Sequence, residues 1–274
     1  MTFIQKLEEH WKDGKFVCIG SDSDYSKIPM FLKLGKSIEQ SILIFNKKII
    51  DETHDLICAY KPNSAFYEAY GAEGLNALKK TIEYVHREYP KILVILDAKR
   101  ADIGSTNFGY VKFAFDELCA DAITLHPYLG QEAVEPFLAR KDKFVFILVK
   151  TSNVGANEFQ NLKINGKALY EIVAENVSKK WNKNGNCGVV VGGTYPSELK
   201  LVRKIVGNMP ILIPGIGAQG GDIKATVNAG KDSRDFGMII NSGRAVIFAS
   251  KEKDFAKVAR QKTIELSNEI KKYL

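Results

Sequence analysis

The 274-residue sequence contains few of the residues that build metal sites and covalent cross-links, with only four cysteines and four histidines. No C-x-x-C pair occurs, and neither residue type shows the spacing of a metal site, so the sequence favours neither zinc binding nor a disulfide framework. Three of the cysteines lie in apolar runs, which predicts buried thiols and a reducing, cytoplasmic compartment. The cysteines are Cys18, Cys58, Cys119 and Cys187.

Long apolar runs and compositionally biased tracts are also absent. No stretch approaches the ~20 apolar residues of a membrane span. Residues 1–15 place Phe3, Leu7 and Trp11 at helical spacing among charged residues, which predicts an amphipathic helix rather than a signal peptide. The composition, 45% hydrophobic and 26% charged, excludes disorder, and no tract resembles a linker. We therefore predict one domain over residues 1–274.

Negative charge is the minority sign, since the formal net charge is +7. A basic protein suits acidic ligands such as phosphates. The lysines are scattered over helix-like stretches without interleaved aromatic residues, which is typical of a solvated surface. We therefore predict neither a nucleic-acid partner nor a membrane partner.

Short apolar runs alternate with longer amphipathic stretches along the whole chain. Eight such βα units predict an α/β fold, a single (β/α)8 TIM barrel with an N-terminal capping helix. The alternation alone also fits an open doubly wound sheet, but polar residues at every strand exit favour the barrel. The predicted strands are 16–19, 56–60, 92–96, 122–125, 144–149, 187–191, 211–213 and 238–240, and the predicted helices include 37–50, 75–88, 108–119, 168–181, 197–206 and 256–273.

The exit of the third strand carries the strongest chemical signal. Asp97 and Lys99 lie two residues apart on an extended segment and therefore share a face. Asp102 follows where the next helix begins, so we expect one charged cluster. A buried structural ion pair is the alternative interpretation of the Asp-x-Lys pattern.

Two connections are longer than the others, residues 20–55 and residues 151–167. Long loops in compact domains often act as lids over a site, and a simple insertion is the alternative. We predict that residues 151–167, called the lid segment below, cover the active site.

Residues 214–222 form a glycine-rich exit from the seventh strand, and Gly243 and Arg244 follow the eighth. Loops at these two positions bind phosphate in many barrels of this kind. The loop also spells G-x-G-x-x-G, but its position near the C-terminus, the bulky Gln219 and the absence of an acid after the next strand argue against a dinucleotide site.

The runs Asp97-Ala98-Lys99-Arg100-Ala101-Asp102-Ile103 and Pro214-Gly215-Ile216-Gly217-Ala218-Gln219-Gly220-Gly221-Asp222 together resemble the orotidine 5'-phosphate decarboxylase family. Residues 58–63, 65–71 and 149–153 resemble the longer bacterial subgroup of that family. The resemblance implies a dimeric (β/α)8 barrel and a cofactor-free lyase. Its reaction would convert orotidine 5'-monophosphate to uridine 5'-monophosphate and carbon dioxide.

The resemblance also implies roles for individual residues. Lys61, Asp97, Lys99 and Asp102 match a charged tetrad, in which Lys99 would protonate C6 and Asp97 would face the departing carboxylate. The neighbouring subunit of the dimer would supply Asp102 and two substrate-binding residues, Ile103 and Thr106.

Further substrate contacts follow from the same resemblance. Asp22 and Lys61 would engage the ribose, and Ser152 would bind the pyrimidine amide. The family often has Leu-Asp-Pro where this chain reads Ser21-Asp22-Ser23-Asp24, so Asp24 is an alternative ribose ligand. The expected phosphate-binding residues are Gln219 and Arg244, with Gly220 and Gly243 as substrate-binding glycines of the same two loops.

Two other functions compete with this interpretation. A magnesium-dependent decarboxylase or aldolase acting on a sugar phosphate would share the D-x-K-x-x-D core. A catalytically inactive barrel that binds nucleotides would share the fold.

Overall fold

The computed structural model describes residues 1–216 and 222–274, in which eight parallel strands close into a barrel. The predicted (β/α)8 fold is therefore confirmed. The strands are apolar on both faces because side chains fill the barrel on one side and helices cover the other. Around the barrel the order is β1-β10-β9-β8-β5-β4-β3-β2. The barrel strands are β1 (Val17–Ile19), β2 (Ala59–Tyr60), β3 (Leu93–Arg100), β4 (Ala122–Leu125), β5 (Phe144–Lys150), β8 (Cys187–Val191), β9 (Ile211–Pro214) and β10 (Met238–Ser242), and a separate hairpin pairs β6 (Lys163–Ile164) with β7 (Lys167–Ala168).

The helices pack around the outside of the barrel and return the chain to the start of the next strand. Two of them, α5 and α8, continue into π-helical turns at Phe113–Glu117 and Val177–Trp181. The helices are α1 (Phe3–Lys12), α2 (Ile38–Thr53), α3 (Ala65–Glu68), α4 (Gly71–Glu88), α5 (Thr106–Lys112), α6 (Gln131–Leu138), α7 (Ala156–Phe159), α8 (Leu169–Asn176), α9 (Pro196–Val206), α10 (Ile223–Gly230), α11 (Arg244–Ile247) and α12 (Phe255–Lys271). No helix within the described ranges is both long and apolar enough to cross a membrane.

Helix α1 caps the end of the barrel where the strands begin. Thr2 starts it with a capping box, and the ring of Phe3 stacks on Phe144 with centroids 4.5 Å apart. The indole Nε1 of Trp11 donates to the carbonyl of Met238 at 2.8 Å. Phe144 and Met238 are the first residues of β5 and β10. The predicted capping helix therefore closes the amino-terminal face and leaves the opposite rim free.

Strand β3 runs further than the sequence predicts. We expected it to end at Leu96, but it continues to Arg100 with an irregular register between those two residues. Lys99 and Ala101 have positive φ angles of 48° and 148°, which are unfavourable for side-chain-bearing residues. Such backbone strain often accompanies functional sites. Here it lies at the carboxyl rim of the barrel, where the polar residues at the strand exits predict the active site.

Candidate active site

The carboxylate of Asp97 is the centre of a buried hydrogen-bonded cluster at the carboxyl rim. Lys61, which directly follows β2, donates from Nζ to Oδ2 at 2.6 Å. Lys99 donates from Nζ to Oδ1 at 2.6 Å, so the predicted common face of Asp97 and Lys99 is correct. One carboxylate thus holds two ammonium groups, and one of these, Lys99, remains about half exposed to the cavity.

The charges of this cluster reinforce one another. Burial raises the pKa of Asp97, but the ammonium groups of Lys61 and Lys99 outweigh it and hold that pKa well below its usual range. Burial lowers the pKa of Lys61, yet the carboxylates of Asp97 and Asp22 raise it overall. Asp97 and Lys61 therefore both stay charged at neutral pH.

Thr124 completes the cluster and is a residue that the sequence analysis missed. Its hydroxyl donates to Asp97 Oδ1 at 3.0 Å and accepts from the backbone N–H of Lys99 at 3.0 Å. It is a polar residue within the otherwise apolar strand β4. That departure from an apolar run is the sequence signal that could have identified it.

A cavity of about 460 Å³ opens above the cluster. Its polar wall includes Lys61, Asp97, Lys99 and Thr124, and its other side includes Ser152 of the lid segment. Apolar residues from β5, β8 and β9 complete the wall; they are Leu148, Val190 and Leu212. The cavity therefore combines a charged face with an apolar face, as expected for a flat heterocycle beside an ammonium group.

A smaller cavity of about 150 Å³ shares Lys61 and Asp97 with the larger one. Arg244 and Gly243 line it beside Asp22, so the structure brings together three of the residues predicted to bind the phosphate and the ribose. Burial raises the pKa of Asp22, although Lys61 acts in the opposite direction. Asp24 instead caps a short turn, accepting from the Ser26 N–H at 3.0 Å. The structure thus favours Asp22 over Asp24 for a ligand in this cavity.

The expected single charged cluster forms without Asp102 from the same chain. The Asp102 carboxylate accepts from the neighbouring N–H of Ile103 at 2.7 Å, and it does not line either cavity. The positive φ angles at Lys99 and Ala101 turn the chain away from the strand direction before it reaches Asp102. Ile103 and Thr106 are likewise exposed at the rim. Within one chain, the tetrad is therefore a triad.

Two of the predicted substrate-binding residues of the phosphate loops, Gln219 and Gly220, lie outside the described residues.

His126, which follows β4, bridges backbone groups: Nε2 lies 3.0 Å from the Ala101 carbonyl, and Nδ1 accepts from the N–H of Tyr128. Across residues 1–216 and 222–274, no three His, Cys, Asp or Glu side chains are arranged to hold a metal ion.

The lid segment is folded rather than irregular. It contains α7 and nearly all of the β6–β7 hairpin. The side-chain oxygen of Gln160 accepts a hydrogen bond from the backbone N–H of Thr151 at 2.9 Å, and the side-chain nitrogen of Gln160 donates to the Thr151 hydroxyl at 2.8 Å. Lys150, just before the segment, is fully buried and donates to the side-chain oxygens of Asn157 at 3.1 Å and Asn161 at 2.9 Å. The segment is thus fastened to the end of β5.

Known proteins resemble the chain along its whole length. An orotidine 5'-phosphate decarboxylase of Janthinobacterium sp. (strain Marseille) is 48% identical over 275 residues, which is 100% of both chains. The solved structure of Leishmania donovani OMP decarboxylase is 38% identical with a TM-score of 0.83, covering 98% of this chain and 99% of that one. The structure of Leishmania donovani UMP synthase is 40% identical with a TM-score of 0.88, and this chain, covered completely, spans 56% of it.

The family model for orotidine 5'-phosphate decarboxylase / HUMPS matches residues 41–259, a range that holds Lys61, Asp97, Lys99 and Arg244. The barrel, the charged cluster at its carboxyl rim and the full-length relatives agree. The chain therefore belongs to the orotidine 5'-phosphate decarboxylase family.

Proposed function

We propose that the chain decarboxylates orotidine 5'-monophosphate at C6 and releases uridine 5'-monophosphate and carbon dioxide. The observation that carries this proposal is the Asp97 carboxylate held between the ammonium groups of Lys61 and Lys99, facing a cavity with an apolar opposite wall. The names of its full-length relatives support the substrate. The competing sugar-phosphate reaction has no such support.

Lys99 supplies the proton in this proposal. When the bond between C6 and the carboxylate breaks, carbon dioxide leaves and the electron pair stays on C6, where the ring cannot delocalise it. The adjacent ammonium stabilises that charge more in the transition state than in the substrate, which is the requirement for faster chemistry. Its proton then moves to C6, and the resulting neutral amine regains a proton from solvent.

Asp97 places the ammonium and faces the substrate carboxylate. Because the pKa of Asp97 is depressed, it remains an anion when the second carboxylate arrives beside it. The two like charges raise the energy of the bound substrate, and that repulsion disappears as neutral carbon dioxide departs. Lys61 keeps Asp97 ionised and completes the network.

The remaining binding residues act on parts of the substrate that do not react. Arg244 and the loop of Gln219 hold the phosphate, with Gly220 and Gly243 allowing close backbone approach, and Asp22 binds the ribose. Ser152 binds the pyrimidine amide when the lid segment closes. Closure would exclude water and strengthen each electrostatic contact.

The active form in this proposal is a homodimer in which the neighbouring subunit supplies Asp102, Ile103 and Thr106. Two observations support it. Asp102 does not line either cavity of its own chain, and large apolar side chains are exposed on neighbouring rim segments, including helix α5. These are Ile103, Phe108 and Tyr128, at 61%, 66% and 83% exposure. The free cysteines are consistent with a cytoplasmic enzyme.

The test is the ultraviolet absorbance change of orotidine 5'-monophosphate in the presence of a chelator. We expect rapid turnover by the wild-type protein and a loss of at least about 100-fold in Lys99→Ala, the range for removing a positioned acid. Lys141→Ala, which removes an exposed lysine, is the matched control. Wild-type turnover in Lys99→Ala would refute the role of Lys99, and magnesium-dependent activity on sugar phosphates alone would refute the function.

A further inference from the structure

Two buried oxygen atoms in the smaller cavity have no hydrogen-bond donor among residues 1–216 and 222–274. Asp22 Oδ1 and Asn241 Oδ1 are both buried without a partner, and neither side chain makes any hydrogen bond to the described part of the protein. Asn241, at the end of β10, is only 9% exposed. Burying an unpaired polar atom costs about 1–3 kcal/mol, so such atoms call for an explanation.

Asn186 shows what a structural asparagine looks like in the same protein. Its Oδ1 is also buried without a donor, but its Nδ2 donates to three backbone carbonyls at the opposite end of the barrel. That side chain closes a turn. Asn241 makes no comparable bond, so local structure does not account for a buried amide at its position.

The position of Asn241 gives it access to a ligand. It pairs in register with Cys18 on one side and Pro214 on the other, so it lies between the exits of β1 and β9. A Cβ atom on Gly20 would lie 3.4 Å from Asn241 Oδ1 and 3.0 Å from the Cα of Gly243. The absence of a side chain at Gly20 therefore leaves room for the amide beside the cavity.

The chemistry of the cavity selects among the parts of a nucleotide. A phosphate at neutral pH offers almost no donors, and the Asp22 carboxylate would repel it. The oxygens of Asp22 and Asn241 need donors instead, and two hydroxyl groups on one sugar ring supply them. Arg244 lines the same cavity and is a suitable partner for the adjacent phosphate.

We infer that Asn241 accepts a hydrogen bond from a ribose hydroxyl and, together with Asp22, makes the site select ribonucleotides over deoxyribonucleotides. The inference rests on the proposed function, which places a nucleotide across the two cavities. It adds to Asp22 and Lys61 a further sugar-binding residue that the sequence analysis did not identify.

The experiment measures the dissociation constants of UMP, 2'-deoxy-UMP and 3'-deoxy-UMP by calorimetry. For the wild-type protein we expect UMP to bind about 3- to 10-fold more tightly than the deoxynucleotide that lacks the hydroxyl bound by Asn241. In Asn241→Leu, which keeps a similar branched shape and removes the amide, that preference should fall to about 1. Asn241→Ala provides a second variant in case leucine disturbs folding.

Asn186→Leu is the matched control, because it removes a buried asparagine far from the cavity. It should lower stability and leave the ratios of the three constants unchanged. If folded Asn241 variants keep the wild-type ratios of the dissociation constants, the inference is wrong. The proposed function still stands in that case, provided that the wild-type protein turns over orotidine 5'-monophosphate. A wild-type protein that binds no uridine nucleotide and turns over no substrate would overturn the proposed function first, and the inference with it.

Discussion

Asp97 accepts hydrogen bonds from Lys61, Lys99 and Thr124, so its two oxygens are almost fully used within the protein. A carboxylate in this setting serves as a fixed negative charge rather than as an acid or a base. In the proposed reaction, the proton donor is therefore one of the two lysines that bond Asp97. Of the two lysines, Lys99 is the more exposed to the cavity.

We expect Asp97→Asn to lower the free energy of unfolding at pH 7 by about 3 kcal/mol, because it leaves two ammonium groups without their shared partner. The pKa of Asp97 is lower in the folded than in the unfolded chain, where it is about 3.9. Its stabilising contribution is therefore complete above about pH 5 and declines progressively as the pH falls from the unfolded pKa toward the lower pKa of the folded protein. Urea unfolding of both proteins between pH 3 and 7 measures the difference.

The difference between the wild-type protein and Asp97→Asn should narrow below about pH 4, where the Asp97 carboxyl group of the unfolded chain becomes protonated while that of the folded protein is still ionised. Glu252→Gln, at an exposed position, controls for the general effect of removing a negative charge. A stability difference that stays constant down to pH 3 would contradict the depressed pKa.

Simple alternation of side chains was enough to predict that Asp97 and Lys99 share a face, but it failed where the strands become irregular. The register of β5 shifts between Leu148 and Lys150, and Lys150 bonds the lid segment and does not line the larger cavity. Positive φ angles around Ala101 similarly separate Asp102 from the cluster. Hydrophobic patterns carry no information on such local irregularities.

At the scale of elements, the lid segment is held by a cation that has no anionic partner within 4 Å among the described residues. The Lys150 ammonium lies 4.9 Å from the ring centroid of Tyr195 and bonds two asparagine side chains of the segment. Burial lowers the pKa of Lys150, although Glu198 acts in the opposite direction. An unpaired buried charge is expensive, so we propose that Lys150 is retained to position the segment.

We expect Lys150→Met to raise KM for orotidine 5'-monophosphate about 3- to 10-fold, because Ser152 is then less often in position. The free energy of unfolding should change by less than about 1 kcal/mol, since methionine fills a similar volume without a buried charge. Steady-state kinetics and urea unfolding measure the two effects.

Lys163→Met, at an exposed position of the same segment, is the control for Lys150→Met. It should leave KM unchanged. If Lys150→Met also leaves KM unchanged, the positioning role is wrong.

Most of the elements could be predicted because buried strands and amphipathic helices have distinct periodicities. The predicted 122–125 and 187–191 strands are correct to the residue. Helix α6 received no predicted bounds, since it is short and contains Pro136. The internal structure of the lid segment was missed as well, because its pieces are only two to four residues long.

At the scale of the whole molecule, one chain holds a substrate-sized cavity and three of the four charged residues that the resemblance implies. The fourth, Asp102, lies on a rim loop next to exposed apolar side chains. Asp102 could act in the site of its own chain or in the site of the neighbouring subunit, and spacing along a chain does not show which subunit a side chain faces. A mixed dimer distinguishes these two possibilities.

We expect a dimer that combines one Lys99→Ala subunit with one Asp102→Ala subunit to recover about half of the wild-type kcat. One of its two sites then carries both substitutions and the other carries neither, as two-fold symmetry requires. Co-expression with two different affinity tags allows the mixed species to be purified and assayed.

The two parent homodimers, each substituted at both sites, provide the controls and should be inactive. A mixed dimer no more active than its parents would show that Asp102 does not complete the neighbouring site.

The closure of the barrel also fixes where the ends of the chain emerge. Helix α1 caps the amino-terminal face, and the backbone carbonyls of Tyr273 and Leu274 accept hydrogen bonds from Lys231, which lies between α10 and the start of β10 at that same face. Anything attached to either end, whether a second enzyme, an affinity tag or a solid support, would leave the chain on the side opposite the substrate cavity. Immobilisation through either terminus should therefore leave the substrate cavity accessible from solution.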